Sequence, residues 1–185
     1  KRGLQLRAEV ISEFENKYKL DNKDKILVHL PPFNVSPGGY SLFSNLIDSF
    51  NFIGIETKAL KWDDDLGQSL ELFKPTIFIS SDNREYLDRI NWDLIQSYKN
   101  IFGLNVGLTA SIEAYGNTPL IPRLKWAKNR IDFYYSFRPQ EYINIRSDYN
   151  PYFEEGYEIF TIEFGANPLC YYPVNTIAKD IDFIF

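Results

Sequence analysis

The stretch Lys25–Leu46, KILVHLPPFNVSPGGYSLFSNL, sets three signals side by side. Lys25–Leu30 is a short apolar run, and Pro31 and Pro32 follow it at once. Proline has no N–H to add to a ladder, so a buried strand ends there. Leu42, Leu46, Ile47 and Phe50 then recur at helical spacing, which predicts an amphipathic helix closing near Asn51. Between strand and helix stands the pair Gly38-Gly39. Two readings of it are open: a plain turn after Pro37, or a loop whose bare backbone lets an anion approach the free amides and positive end of the helix. The stretch lacks the third glycine of the dinucleotide fingerprint and the Gly-Lys-Ser/Thr of the P-loop. A nicotinamide enzyme and a P-loop ATPase both lose ground.

Working outward, Leu4 to Tyr18 mixes apolar and charged residues at partly helical spacing and predicts a peripheral helix, closed by a polar turn at Asp21 to Asp24. Downstream, Gly54–Leu60 reads as a second strand, Leu66–Phe73 as a helix, and Pro75–Ser80 as a third strand. Tyr86, Leu87, Ile90, Leu94, Ile95 and Tyr98 share one helical face, and Ile101–Val106 follows as a fourth strand. A basic segment, Arg123–Arg130, leads into a fifth strand at Ile131–Phe137. Glu141–Tyr149 reads as a short helix, Glu158–Ile162 as a sixth strand, and Ile181–Phe185 as the start of a seventh. Strands that alternate with helices signal a parallel sheet with right-handed crossovers. The expected fold class is therefore α/β, an open and mostly parallel Rossmann-like sheet flanked by helices.

Composition bounds the function. A chain of 185 residues with 44% apolar and 24% charged residues suits one well-packed domain. The formal charge of -5 and the lack of any long basic run argue against nucleic-acid binding, which needs a concentrated cationic face. The single Cys170 rules out an intrachain disulfide and suits a reducing compartment. No apolar run approaches ~18 residues, so no membrane-spanning helix is expected. The chain begins at Lys1, contains no Met, and stops inside a strand-like run at Phe185, which reads as part of a longer protein.

In open parallel sheets, ligands bind beyond the carboxyl ends of the strands. That rule selects His29 with the following loop, Asp82 and Asn83 after the third strand, Thr109 after the fourth, and Phe137 with Arg138 after the fifth. Asp82 and Asn83 are open to two roles, capping the next helix or orienting a substrate hydroxyl. His29 is the only histidine, so it is either a hydrogen-bonded structural residue or the sole imidazole base. Asp63-Asp64-Asp65 reads as a solvated loop and helix start rather than a metal site, since consecutive carboxylates need not converge. No zinc-ligand set and no nucleophile elbow is present.

The last part of the chain adds a resemblance. Glu163-Phe164-Gly165-Ala166-Asn167-Pro168-Leu169-Cys170-Tyr171-Tyr172-Pro173, followed by Lys179-Asp180-Ile181-Asp182-Phe183-Ile184-Phe185, resembles the interdomain passage of bacterial GT-B glycosyltransferases. There a strand gives P-F-G-A-D-P-x-x-F-x-P, and D-x-D-F-x-F-x-G opens the second domain. Glu163 stands here for the usual proline and Asn167 for the usual aspartate. The resemblance implies that residues 1–174 are the Rossmann-like acceptor-side domain and that 175–185 are the linker and first strand of a C-terminal, donor-binding domain. It implies transfer of a sugar from a nucleotide-sugar to a glycan or lipid-linked acceptor in cell-surface polysaccharide synthesis. It further implies a cytoplasmic location with peripheral membrane contact, no cofactor and no metal. Gly38, Gly39, Tyr40 and Ser41 become the donor-facing loop, and Asp82, Glu113 and His29 the candidates for catalytic base. Asn83, Thr109, Phe137 and Arg138 become acceptor-side residues, with Tyr40, Tyr115 and Phe137 available to stack on sugar. On this reading the fragment alone is inactive. The alternative from the residues is a stand-alone α/β module that holds a small ligand without chemistry.

Overall fold

A computed structural model describes residues 4–5, 8–9, 12–13, 23–81, 84–98, 101, 104–105 and 131–162. The chain divides into two compact units, Lys1–Leu20 with Gly165–Phe185, and Asp21–Phe164. In the first unit the described residues 4–5, 8–9 and 12–13 are helical and exposed, and Gln5 Nε2 donates to Glu9 Oε1 one turn on, at 3.2 Å. The expected boundary at 174, the seventh strand and the whole passage from Glu163 to Phe185 lie outside the described residues.

In the second unit, β1 (Lys25–Leu30) pairs in parallel with β2 (Glu56–Lys61) on one side and with β3 (Ile77–Ile79) on the other. A second parallel ladder runs β4 (Leu104–Asn105), β5 (Tyr134–Ser136), β6 (Ile159–Thr161). Every described strand pair is parallel, as the alternation of strands and helices predicts. Leu27, Phe78, Tyr134 and Ile159 enter one core, and Ile26, Val28, Ile79 and Tyr135 enter another. Each core draws on both ladders, and β3 neighbours β4, so the ladders work as one surface with apolar layers on both faces.

Helix α1 (Pro37–Phe52) packs Phe43 and Leu46 on the face of Ile26 and Val28, whereas α2 (Leu66–Phe73) packs Leu70 and Phe73 on the face of Leu27. That division follows from topology. The chain moves from β1 to β2 in one direction and from β2 back past β1 to β3 in the other, so crossovers of one hand fall on opposite faces.

The predicted helical face from Tyr86 to Tyr98 is broken into α3 (Arg84–Leu87) and α4 (Trp92–Ser97). Asn91 starts the second helix, its side chain accepting from Leu94 N–H at 3.0 Å, and Trp92 Nε1 donates to the Leu87 carbonyl at 3.0 Å. Those two bonds take groups that a continuous helix would use along its axis, and they leave Arg89 in the turn between. Likewise, the short helix predicted over 141–149 is α5 (Gln140–Ile145) followed by a 3-10 turn, Ser147–Tyr149, and a further helix, α6 (Asn150–Glu154). No described helix is long and apolar enough to cross a membrane.

Candidate functional site

Parallel register brings the carboxyl ends of β1, β2 and β3 to one edge. Leu30 faces Lys61, and β3 stops at Ile79 opposite Val28, a little short of its neighbours on the same edge. Because β2 and β3 leave β1 on opposite sides, this edge is a topological switch point, the place where open α/β sheets hold ligands. A cleft of about 480 Å³ opens there. Its lining combines apolar residues, Leu30, Pro31, Pro32, Val35, Tyr40 and Trp62, with Asn34, Lys61, Asp63 and Arg89. Phe33, 60% exposed, meets the lining residue Tyr40 edge to face with ring centroids 5.7 Å apart.

Beneath the cleft lies an aromatic layer. His29 stacks near Trp62 at 6.1 Å and Phe78 at 6.4 Å, and Tyr86 stands edge-on to both His29 and Trp62, at 6.0 and 5.5 Å. The Arg89 guanidinium lies over the Trp62 ring at 4.0 Å from its centroid, a cation–π contact that fixes an otherwise free, exposed side chain. The Trp62 indole N–H is buried without an acceptor, which leaves about 1–3 kcal/mol of desolvation uncompensated.

His29 is 2% exposed, and its Nδ1 is hydrogen-bonded to Ser80 Oγ at 3.1 Å across the β1–β3 pair. Burial, reinforced by the nearby Arg89 charge, lowers its pKa from 6.5 to about 4. A general base must reach its proton and works best with a pKa near the operating pH. Buried and bonded to Ser80, His29 has the surroundings of the structural role left open by the sequence.

The glycine pair is not a loop. Ser36 caps α1, with its Oγ accepting from Gly39 N–H at 3.3 Å, and Pro37 occupies the first turn, so Gly38, Gly39, Tyr40 and Ser41 are already helical. Of the leading amides, Pro37 has none, Gly39 is held by Ser36 Oγ, and Tyr40 N–H bonds the Ser36 carbonyl at 2.8 Å. The cap and the first helical bond thus engage the amides of Gly39 and Tyr40. Gly39 has a different reason to be glycine. A Cβ on it would strike Tyr86 Oη and fall 2.7 Å from Ser36 Oγ, whereas one on Gly38 would meet nothing within 4 Å. Gly39 admits the Tyr86 ring against the helix backbone. Of Gly38, Gly39, Tyr40 and Ser41, it is Tyr40 that lines the cleft.

Phe137 is 5% exposed and packs edge-on to Tyr135 at 5.5 Å, so its ring belongs to the core and offers no surface to a sugar. Arg138 lies over Tyr142 at 5.3 Å and its N–H bonds Ser136 Oγ at 3.2 Å; neither residue lines the cleft. Asp64 Oδ2 accepts from Lys61 N–H and Asp65 Oδ1 caps α2 through Gln68 N–H, each at 2.8 Å. The acidic run thus makes a turn and a helix cap, as read from sequence. Asp82, Asn83, Thr109, Glu113, Tyr115 and Cys170 lie outside the described residues.

Lys61, Trp62 and Arg89 were not among the residues selected from sequence. The first two follow from a rule already in use: in a parallel sheet all carboxyl ends share an edge, so the end of the second strand belongs to the site as much as those of its neighbours. Arg89 is hidden by the apparent continuity of the helical face around it. Comparison with protein-family models, with curated proteins and with solved structures returns no match.

Proposed function

We propose that this chain supplies the Rossmann-like, acceptor-side domain of a GT-B glycosyltransferase and that the cleft at the carboxyl edge receives the acceptor. The observation that carries the reading is the passage from Glu163 to Phe185, with its GT-B-like interdomain pattern. A parallel α/β sheet with a cleft at its switch point supports it. So do the aromatic pair Phe33–Tyr40 and the hydrogen-bonding groups Asn34 and Asp63, a mix that suits a sugar's apolar face and hydroxyl rim.

In this scheme a C-terminal domain brings the nucleotide-sugar, and the leaving diphosphate is stabilised by helix dipoles and basic side chains without a metal. Asp82 and Glu113 are the remaining candidates for a base that removes the acceptor proton. The reaction takes place on the cytoplasmic side, with peripheral contact to a membrane when the acceptor is lipid-linked. The test is incubation of the protein carrying this chain with a panel of nucleotide-sugars and glycan acceptors. Label should pass from a nucleotide-sugar to acceptor, and one of Asp82→Asn or Glu113→Gln should lower turnover by roughly 10²–10⁴-fold. Tight binding of a small ligand with no nucleotide-sugar consumed would replace the enzyme with a stand-alone binding module.

A further inference from the structure

We infer that the occupant of the cleft is an acidic sugar, a ring carrying a phosphate or carboxylate, with Arg89 and Lys61 taking the anionic group and the Phe33–Tyr40 corner taking the ring. The inference deepens the acceptor reading and rests on it for the word acceptor, but the binding claim stands on the cleft itself. Its lining holds two cations, Lys61 and Arg89, against one carboxylate, Asp63. Neither the Lys61 ammonium nor the Arg89 guanidinium forms an ion pair with a carboxylate among the described residues. Arg89 is already held over Trp62, so little side-chain freedom is lost when it receives an anion, and its planar fork matches a phosphate or carboxylate edge. A bare anion would leave the apolar lining without contact, where Pro31, Val35 and Tyr40 give apolar surface and Phe33, packed on Tyr40, adjoins it. About 480 Å³ is room for a small ligand larger than a bare anion.

The experiment measures binding to the chain, without donor or turnover, of four probes: glucose 1-phosphate, glucuronate, methyl glucoside and inorganic phosphate. Glucose 1-phosphate, glucuronate or both should bind roughly ten-fold or more tighter than methyl glucoside and than phosphate alone. Which of the two acids binds better identifies the group. Arg89→Gln should abolish the preference for acid, Lys61→Gln should reduce it, and Tyr40→Ala should weaken the acidic sugars while leaving phosphate unchanged. These side chains are exposed, so far-ultraviolet circular dichroism and the urea midpoint should match the parent. Equal affinity for methyl glucoside and the acidic sugars, phosphate binding as tightly as they do, or a preference that survives Arg89→Gln each overturns the inference. Acid-selective binding without any sugar transfer would retain the cleft assignment and refute the enzyme reading; transfer to neutral acceptors, indifferent to Arg89, would do the reverse.

Discussion

Gly38 and Gly39 are adjacent and chemically identical, yet packing gives them opposite tolerances. Gly39→Ala drives a methyl group into Tyr86 Oη, the end of a rigid ring that is 5% exposed and hemmed by Phe43, Trp62 and His29. The expected cost is about 1–3 kcal/mol, read as a lower urea midpoint at unchanged slope. Gly38→Ala meets open space within a helix and should be neutral or stabilising by up to about 1 kcal/mol. His29 gives a second residue-level prediction. Its pKa is about 4 when folded and 6.5 ordinarily, so on acidification the unfolded chain takes up the proton first. The stability owed to the neutral ring is complete above pH 6.5 and drains away as pH falls from 6.5 to about 4, by on the order of 3 kcal/mol. His29→Gln should flatten that limb of a stability–pH curve; an unchanged slope would show that other groups set it.

At the scale of elements, bounds were legible where local chemistry is unambiguous. The strand Lys25–Leu30 and the helix Leu66–Phe73 match their sequence readings end for end, since Pro31 stops one and Asp65 caps the other. The segment 84–98 was misread because apolar spacing reports which side is buried, not whether the axis is continuous. Asn91 and Trp92 break it with side-chain bonds that periodicity does not encode. Asn91→Ala should therefore cost about 1 kcal/mol through loss of the cap. It should also loosen the turn that holds Arg89 over Trp62, and thermal unfolding together with tryptophan fluorescence would register both effects.

For the whole molecule, the sequence made the parallel α/β plan legible and pointed to the edge where a cleft lies, but not to Lys61, Trp62 and Arg89 in its lining. Carboxyl ends of strands can be listed from a sequence; which of their side chains converge depends on strand order, and β2-β1-β3 places Trp62 beside Pro31. The glycine pair stood out by composition; Gly39 packs the helix against Tyr86, and Tyr40 next to it is the residue at the cleft. If that cleft takes the acceptor while another domain takes the donor, the two substrates' kinetics must separate. The decisive measurement is steady-state sugar transfer by the protein carrying this chain, comparing the parent with Tyr40→Ala while acceptor and nucleotide-sugar are varied in turn. The account predicts that KM for the acceptor rises about ten-fold while KM for the nucleotide-sugar is unchanged. A rise confined to the nucleotide-sugar, or no change in either, would contradict it.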